Sequence, residues 1–244
     1  MNINFKYNID SYSLYEVDEI SSTNTYLKDN YEKFKNKSIL LADIQTQGRG
    51  RLDHVWISGK DLTFSVIFNQ KQNYMLPALA IVKALEEYNM NTLIKWPNDI
   101  FYNGMKISGI LIEDIYLGDF KASIVGIGIN LTDKREFNVK ELGALYNIDK
   151  YELLAKIVKN YDIMLSKSQE ELLNLYRSYS LIIGKDISYN SIIYRVIDID
   201  EIGALVLKKD DKIFHISYGD IDLLKKWWNY PSFFYFFLVF EPYF

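Results

Sequence analysis

Cysteine is absent from the 244 residues, and histidine occurs only at His54 and His215. The first absence removes disulfides, thiolate metal sites and a cysteine nucleophile. The second leaves a serine–histidine triad little to draw on. Excess positive charge is also lacking: 28 Lys and Arg stand against 32 Asp and Glu, a net charge of −4, so no overall basic field points to nucleic acid. No stretch reaches the roughly 20 apolar residues of a spanning helix. The amino-terminal MNINFKYNIDSYSLYE lacks the apolar core of a secretion signal. Together these absences predict a soluble, cytoplasmic protein with no membrane association.

What is present is enough apolar material, 49% of the chain, for one large domain or a medium and a small one. YSLYEVDEI, SILLADIQT, LTFSVIFN and KASIVGIGINL read as strands. Ser22 or Thr23 is the N-cap of a following helix, and MLPALAIVKALEEYN has helical spacing with Pro77 in its first turn. LIKWPNDIFYNGMKISGILIEDIYL reads as strand, turn, strand, broken at Pro97-Asn98, with Asn103-Gly104 as a hairpin signal. From Asp149 the pattern is helical, and Ser168 with Glu171 fits a capping box that starts a second helix. After Gly184 come short alternating runs with polar turns, the pattern of a small barrel. The expected organisation is α+β: a mixed sheet flanked by helices over 1–182 and a small β-barrel over 183–225. The aromatic tail 226–244 falls outside both. Its apolar core, Phe233 to Phe240, is too short to span a bilayer, and it reads either as a segment packed on a neighbour, a scar, or a surface anchor.

Four short pieces carry chemistry. In QTQGRGRLDHVW, Gly48 and Gly50 let backbone N–H groups approach an anion, while Arg49 and Arg51 supply planar charged forks for carboxylate or phosphate. Trp56 can cover an apolar ring or a base. The segment is either such a lid or a solvated turn, and it lacks the third glycine of a dinucleotide fingerprint. In KWPNDI, Asn98 and Asp99 sit at a forced turn, either for local hydrogen bonding or facing a phosphate, a metal or an amine. In KISGILIE, Lys106 opens an apolar strand, where a lysine is usually a solvated strand end, and Gly109 interrupts it, a place where a ligand can lie against the backbone. GIGIN, Gly126 to Asn130, is either a tight strand contact or a close ligand approach.

In this order and spacing the pieces resemble the biotin protein ligases. The matching residues are Ser22-Thr23-Asn24, Gln45, Gly48-Arg49-Gly50-Arg51, Trp56, Lys95 to Asp99, Lys106 with Gly109-Ile110-Leu111 and Glu113, and Gly126 to Asn130, and the resemblance runs from about residue 12 to about residue 224, ending at SYGDI. The chain departs from the family at Leu52-Asp53-His54, where a second Arg-Gly-Arg is common, and at Ser58-Gly59-Lys60, where Ser-Pro-Phe-Gly often follows the tryptophan. The resemblance implies a class II synthetase-like catalytic domain that makes biotinyl-AMP from biotin and ATP, then passes biotin to a lysine of a biotin carboxyl carrier protein, as in acetyl-CoA carboxylase or another biotin-dependent carboxylase. It implies Lys106, Arg49, Arg51 and Asp99 as catalytic residues. Biotin falls to Ser22, Thr23, Asn24, Gln45, Gly48, Arg49, Gly50, Arg51, Lys106 and Gly109, with the first four taking the ureido ring. ATP falls to Arg49, Arg51, Trp56, Asn98, Lys106 and Asn130, and Asp99 helps place Mg²⁺. A monomer or weak homodimer is expected. With nothing before Tyr12 able to form the winged helix of some relatives, DNA binding is not expected. Lipoate or octanoate ligases and transferases share the general fold and are the rival reading, with a non-catalytic biotin-binding module the other.

Overall fold

The computed structural model describes residues 2–52, 54–57, 59–133 and 142–224. Eight strands form the main sheet: β1 (Asn4–Ile9), β2 (Tyr12–Ile20), β3 (Ser38–Gln45), β4 (Leu62–Phe68), β5 (Thr92–Lys95), β6 (Asp99–Tyr102), β7 (Met105–Leu117) and β8 (Asp119–Ile129). Their order is β1-β2-β3-β4-β8-β7-β6-β5. Only β2 and β3 run parallel, a pairing that no tight hairpin can join. The crossover between them is α1 (Thr23–Asp29) and a 3-10 turn at Tyr31–Lys33.

Both faces of the sheet are covered, which explains why LTFSVIF is buried at every position of β4. On one face Ile39, Leu41, Phe64 and Val66 meet α2 (Met75–Glu86) and α3 (Lys150–Leu165). On the other, Leu40, Ala42 and Ile124 meet Leu27 of α1. The capping box is present: Ser168 and Glu171 exchange hydrogen bonds at the start of α4 (Gln169–Ser178). Ser22 is the N-cap of α1, so Thr23 is its first helical residue.

The short strands near the carboxyl end form a second, antiparallel sheet: β9 (Asp186–Tyr189), β10 (Ile192–Ile199), β11 (Leu205–Lys209), β12 (Lys212–Ile216) and β13 (Asp222–Leu223), in the order β12-β11-β10-β9-β13. Its inner residues Ile187, Val196, Leu205 and Leu207 join the same hydrophobic cluster as α2 and α3. Two features differ from the sequence reading. The edge strand β1 has almost every residue exposed and so shows no buried face to reveal it. Gly109 does not interrupt its strand, because β7 runs unbroken from Met105 to Leu117. The aromatic tail lies outside the described residues.

The second sheet is pinned to the first beside the KWPND turn. Trp96 is 2% exposed, and its indole N–H donates to the Gly203 carbonyl at 2.9 Å and to the Tyr74 hydroxyl at 3.2 Å. Tyr74 in turn donates to the same carbonyl. Gly203 sits in the β10–β11 turn with φ of 83°, a region that favours glycine, and a Cβ there would overlap the Tyr74 hydroxyl. Gly203→Ala is therefore expected to lower the urea midpoint by an amount worth about 1–3 kcal/mol, with Tyr74→Phe costing less. An unchanged midpoint for Gly203→Ala would mean that this contact does not hold the sheets together.

Candidate active site

A cavity of about 280 Å³ opens where the ends of β3, β6 and β7 meet the loop after β3 and the turn before β13. Twelve of the residues singled out from the sequence line it: Ser22, Thr23, Asn24, Gln45, Arg49, Gly50, Arg51, Trp56, Asn98, Asp99, Lys106 and Gly109. Gly48 and Asn130 do not. Gly48 packs under Trp56, accepting the Trp56 N–H at 2.9 Å, and the Asn130 amide donates to the Gly143 carbonyl at 2.9 Å.

The glycine–arginine segment folds as a small hairpin. Gly50 N–H donates to His54 O at 2.7 Å and Arg49 bridges Val55. This hairpin lays the Trp56 indole across the sheet. Gly128 and Gly109 lie beneath it, and a Cβ at Gly128 would occupy the ring's place. The indole N–H is buried and meets no acceptor among the described residues. Gly126 plays the same part for Asn24, whose amide oxygen fills the space a Cβ would take.

Three of the cavity's cations, Lys106, Arg49 and Arg51, face anionic or carbonyl partners. Lys106 Nζ stands 2.7 Å from Asp99 Oδ1. The pair faces across the β6–β7 ladder, where Asp99 is opposite Gly109. Arg49 donates to Glu113 at 3.2 Å and to the Thr25 hydroxyl at 3.2 Å. Arg51 donates to Asn98 Oδ1 and to the Gly219 carbonyl, both at 3.1 Å, and pairs with Asp220 at 3.5 Å. Asn98 is itself fixed, donating to Ile110 O at 2.7 Å. The uncharged set is held as well: Thr23 N–H donates to Gln45 Oε1 at 2.7 Å, and Asn24 donates to the Glu113 carboxylate at 3.1 Å.

Three contributors were not picked out from the sequence as site residues. Glu113 appeared only as part of a matched motif. Ser65 hides in a strand buried at every position, where its hydroxyl was the sole clue. Asp220 comes from the carboxyl-terminal sheet, about 170 residues from its partner Arg51, a separation no local pattern bridges.

Burial pushes the Glu113 carboxyl up, but hydrogen bonds from Asn24 and Lys28 and the Arg49 charge outweigh it and hold it below the ordinary 4.5. The sign follows: with the folded value depressed, Glu113 stabilises fully above 4.5, and this is lost as pH falls through the folded value. The gap in melting midpoint between the parent and Glu113→Gln should therefore be flat from neutral pH to about pH 5 and shrink below 4.5. A gap that stays constant into the acid range would show that the carboxylate is not held by these partners.

Comparison with known proteins bears on this geometry. The model of the Biotin/lipoate A/B protein ligase family matches residues 16–130. The bifunctional ligase/repressor BirA of Escherichia coli K12 is 30% identical over 248 residues, covering 88% of this chain and 75% of that protein. BirA of Bacillus subtilis is 33% identical over 214 residues, covering 76% of this chain and 66% of the relative, so the chain spans about two thirds of that protein's length. Among solved structures, the biotin protein ligase of Aquifex aeolicus in complex with biotin and ATP matches with a TM-score of 0.74 at 28% identity, over 86% of this chain and 97% of that one. The main sheet and the second antiparallel sheet are thus those of a known group, and the chain belongs to the biotin protein ligases of the biotin/lipoate A/B protein ligase family.

Proposed function

We propose that the protein joins biotin to a lysine of a biotin carboxyl carrier protein, at the expense of ATP, through biotinyl-5'-AMP. One observation carries this reading: a single cavity gathers four cations, Lys95, Lys106, Arg49 and Arg51, beside an uncharged polar set, Thr23, Asn24 and Gln45. That combination suits a ligand with a neutral polar head and an anionic end, meeting a second, polyanionic ligand.

In the first step a biotin carboxylate oxygen attacks the α-phosphorus of ATP, and the bond to the β-phosphate breaks, releasing pyrophosphate. Two anions must approach, so the cations screen their repulsion and stabilise charge on the phosphoryl oxygens. Lys106 sits on β7 of the main sheet, a rigid element, and is preorganised for that charge. In the second step the carrier's lysine nitrogen attacks the acyl carbon, the acyl–phosphate bond breaks and AMP leaves, while the amine gives up its proton. Between the steps the adenylate must be kept from water. The Arg49–Trp56 hairpin, held to Glu113 at one end and to Gly219–Asp220 at the other, is built to cover it. Mg²⁺ is typically held by one or two carboxylates together with substrate phosphates. Asp99, a single carboxylate beside Lys106, fits that demand. Bound there, the ion would neutralise phosphate charge. A cytoplasmic location and a carrier from a biotin-dependent carboxylase complete the reading.

Incubating the protein with biotin, Mg-ATP and a carrier domain, then weighing the carrier by mass spectrometry, tests the proposal. One biotinyl group on one lysine is expected, and an unmodified carrier overturns it. Two variants divide the labour within the cationic set. Lys106→Ala should lose adenylate formation by about 10²-fold or more, with a smaller effect on transfer from pre-made biotinyl-AMP. Arg51→Gly should still form the adenylate but release it, acylating stray lysines. Rapid filtration of labelled adenylate reads both. Normal adenylation by Lys106→Ala, or full retention by Arg51→Gly, would refute this division.

A further inference from the structure

Beneath the cavity lies a buried relay of side chains whose protons can be counted. Ser65, Thr23 and Asn24 are 0%, 2% and 4% exposed. Asn24 Nδ2 points at two acceptors, Glu113 Oε2 at 3.1 Å and Leu111 O at 3.4 Å, which fixes the amide so that Oδ1 faces Ser65. Ser65 Oγ lies 2.6 Å from that oxygen, and a carbonyl oxygen only accepts, so the single Ser65 proton goes to Asn24. Ser65 Oγ also lies 2.6 Å from Thr23 Oγ1. With the Ser65 proton committed, only the Thr23 proton can occupy this contact. Were it turned instead to Gln45 Oε1, 3.0 Å away, two hydroxyl lone pairs would face each other at 2.6 Å with no hydrogen between them. Gln45 Oε1 already receives the Thr23 backbone N–H at 2.7 Å, so nothing at that end demands the hydroxyl proton. The order of donation is therefore Thr23 to Ser65 to Asn24, with the Asn24 amide donating on to Glu113.

The consequence is chemical. Thr23 lines the cavity, and its one hydroxyl proton is spent on Ser65, so toward a ligand Thr23 offers only lone pairs. We infer that Ser65 is a specificity-determining positioning residue: by holding Thr23 as an acceptor, it selects a ligand head group that brings N–H donors and rejects heads that present an oxygen there. The inference rests on the biotin reading above and sharpens it, because a cyclic urea carries two ring N–H groups and a dithiolane carries none. Ser65 touches neither ligand nor reacting atoms. It acts through Thr23 and Asn24, and the carboxylate of Glu113 sets the direction of the whole relay. A buried acceptor left opposite a ligand oxygen loses its hydrogen bond and weakens binding by about tenfold to 10²-fold, enough to decide between head groups of the same shape.

Calorimetric titration of the full chain with biotin, with the ring carbamate in which one ring N–H is replaced by oxygen, and with lipoate tests this. For the parent, biotin should bind about 10²-fold or more tighter than the carbamate. In Ser65→Ala the Thr23 hydroxyl is released to turn and donate to the carbamate oxygen, so the ratio should fall to about tenfold or less, while the KM for ATP in adenylation stays within about threefold of the parent. Equal weakening of biotin and carbamate by Ser65→Ala, or a matching rise in the KM for ATP, overturns the role of Ser65 while leaving the biotin reading in place. The parent alone supplies a second check should Ser65→Ala fail to fold: a carbamate bound as tightly as biotin overturns the inference. A parent that binds lipoate and not biotin overturns both.

Discussion

The cavity cations Lys106, Arg49 and Arg51 have to be held in place before any anion arrives. Partial burial raises the cost of leaving a charge unpaired, and each of these three has a partner within the protein. Lys106 has Asp99, Arg49 has Glu113, and Arg51 has Asp220 with two neutral oxygens. These pairs are also partly open to solvent, where an ion pair is worth about 0–1 kcal/mol net, so exchanging a protein carboxylate for a ligand phosphate or carboxylate is a cheap step. The partners come from three separate parts of the fold: β6, β7 and the turn before β13. The site is therefore complete only when the main sheet and the carboxyl-terminal sheet are docked.

That docking explains the placement of the aromatic residues. Trp96 is buried and fastened to the Gly203 carbonyl, so the turn that carries Asn98 and Asp99 is fixed by the second sheet from behind. Arg177 of α4 reinforces the same region by donating to Ile199 O and to Asp198. Trp56, in contrast, lies on glycines and on a hairpin whose neighbours Leu52 and Val55 are 62% and 78% exposed. One tryptophan is part of the frame and the other part of a cover. The row of small residues on β7 and β8 gives the cover a flat surface to rest on.

Much of this was legible in the sequence because the chemistry sits in contiguous pieces. Strands β2, β4 and β8 announced themselves by alternation or by an unbroken apolar run, and the capping box at Ser168 by residue type and spacing alone. The glycine–arginine segment, KWPND and the Lys106 strand were readable because a forced turn or a charge beside an apolar run is a local signal. What escaped reading is long-range. Asp220 meets Arg51 only through the packing of two sheets. Ser65 owes its place to strand register, opposite Gly126, which no neighbouring residue encodes. Asn130 and Gly48 belong to the right motifs, yet backbone contacts to Gly143 and Trp56 hold them outside the cavity. The edge strand β1, with no buried face, left no period to detect.

The chemistry proposed for this arrangement begins with a reversible step, the joining of a carboxylate to the α-phosphorus of ATP with loss of pyrophosphate. Incorporation of labelled pyrophosphate into ATP isolates that step from carrier recognition and from release of product. With the full chain and Mg-ATP, exchange should appear on addition of biotin and stay at background with lipoate or octanoate in its place. Exchange driven by lipoate or octanoate, or none with biotin, would contradict the assignment of this cavity to biotin activation.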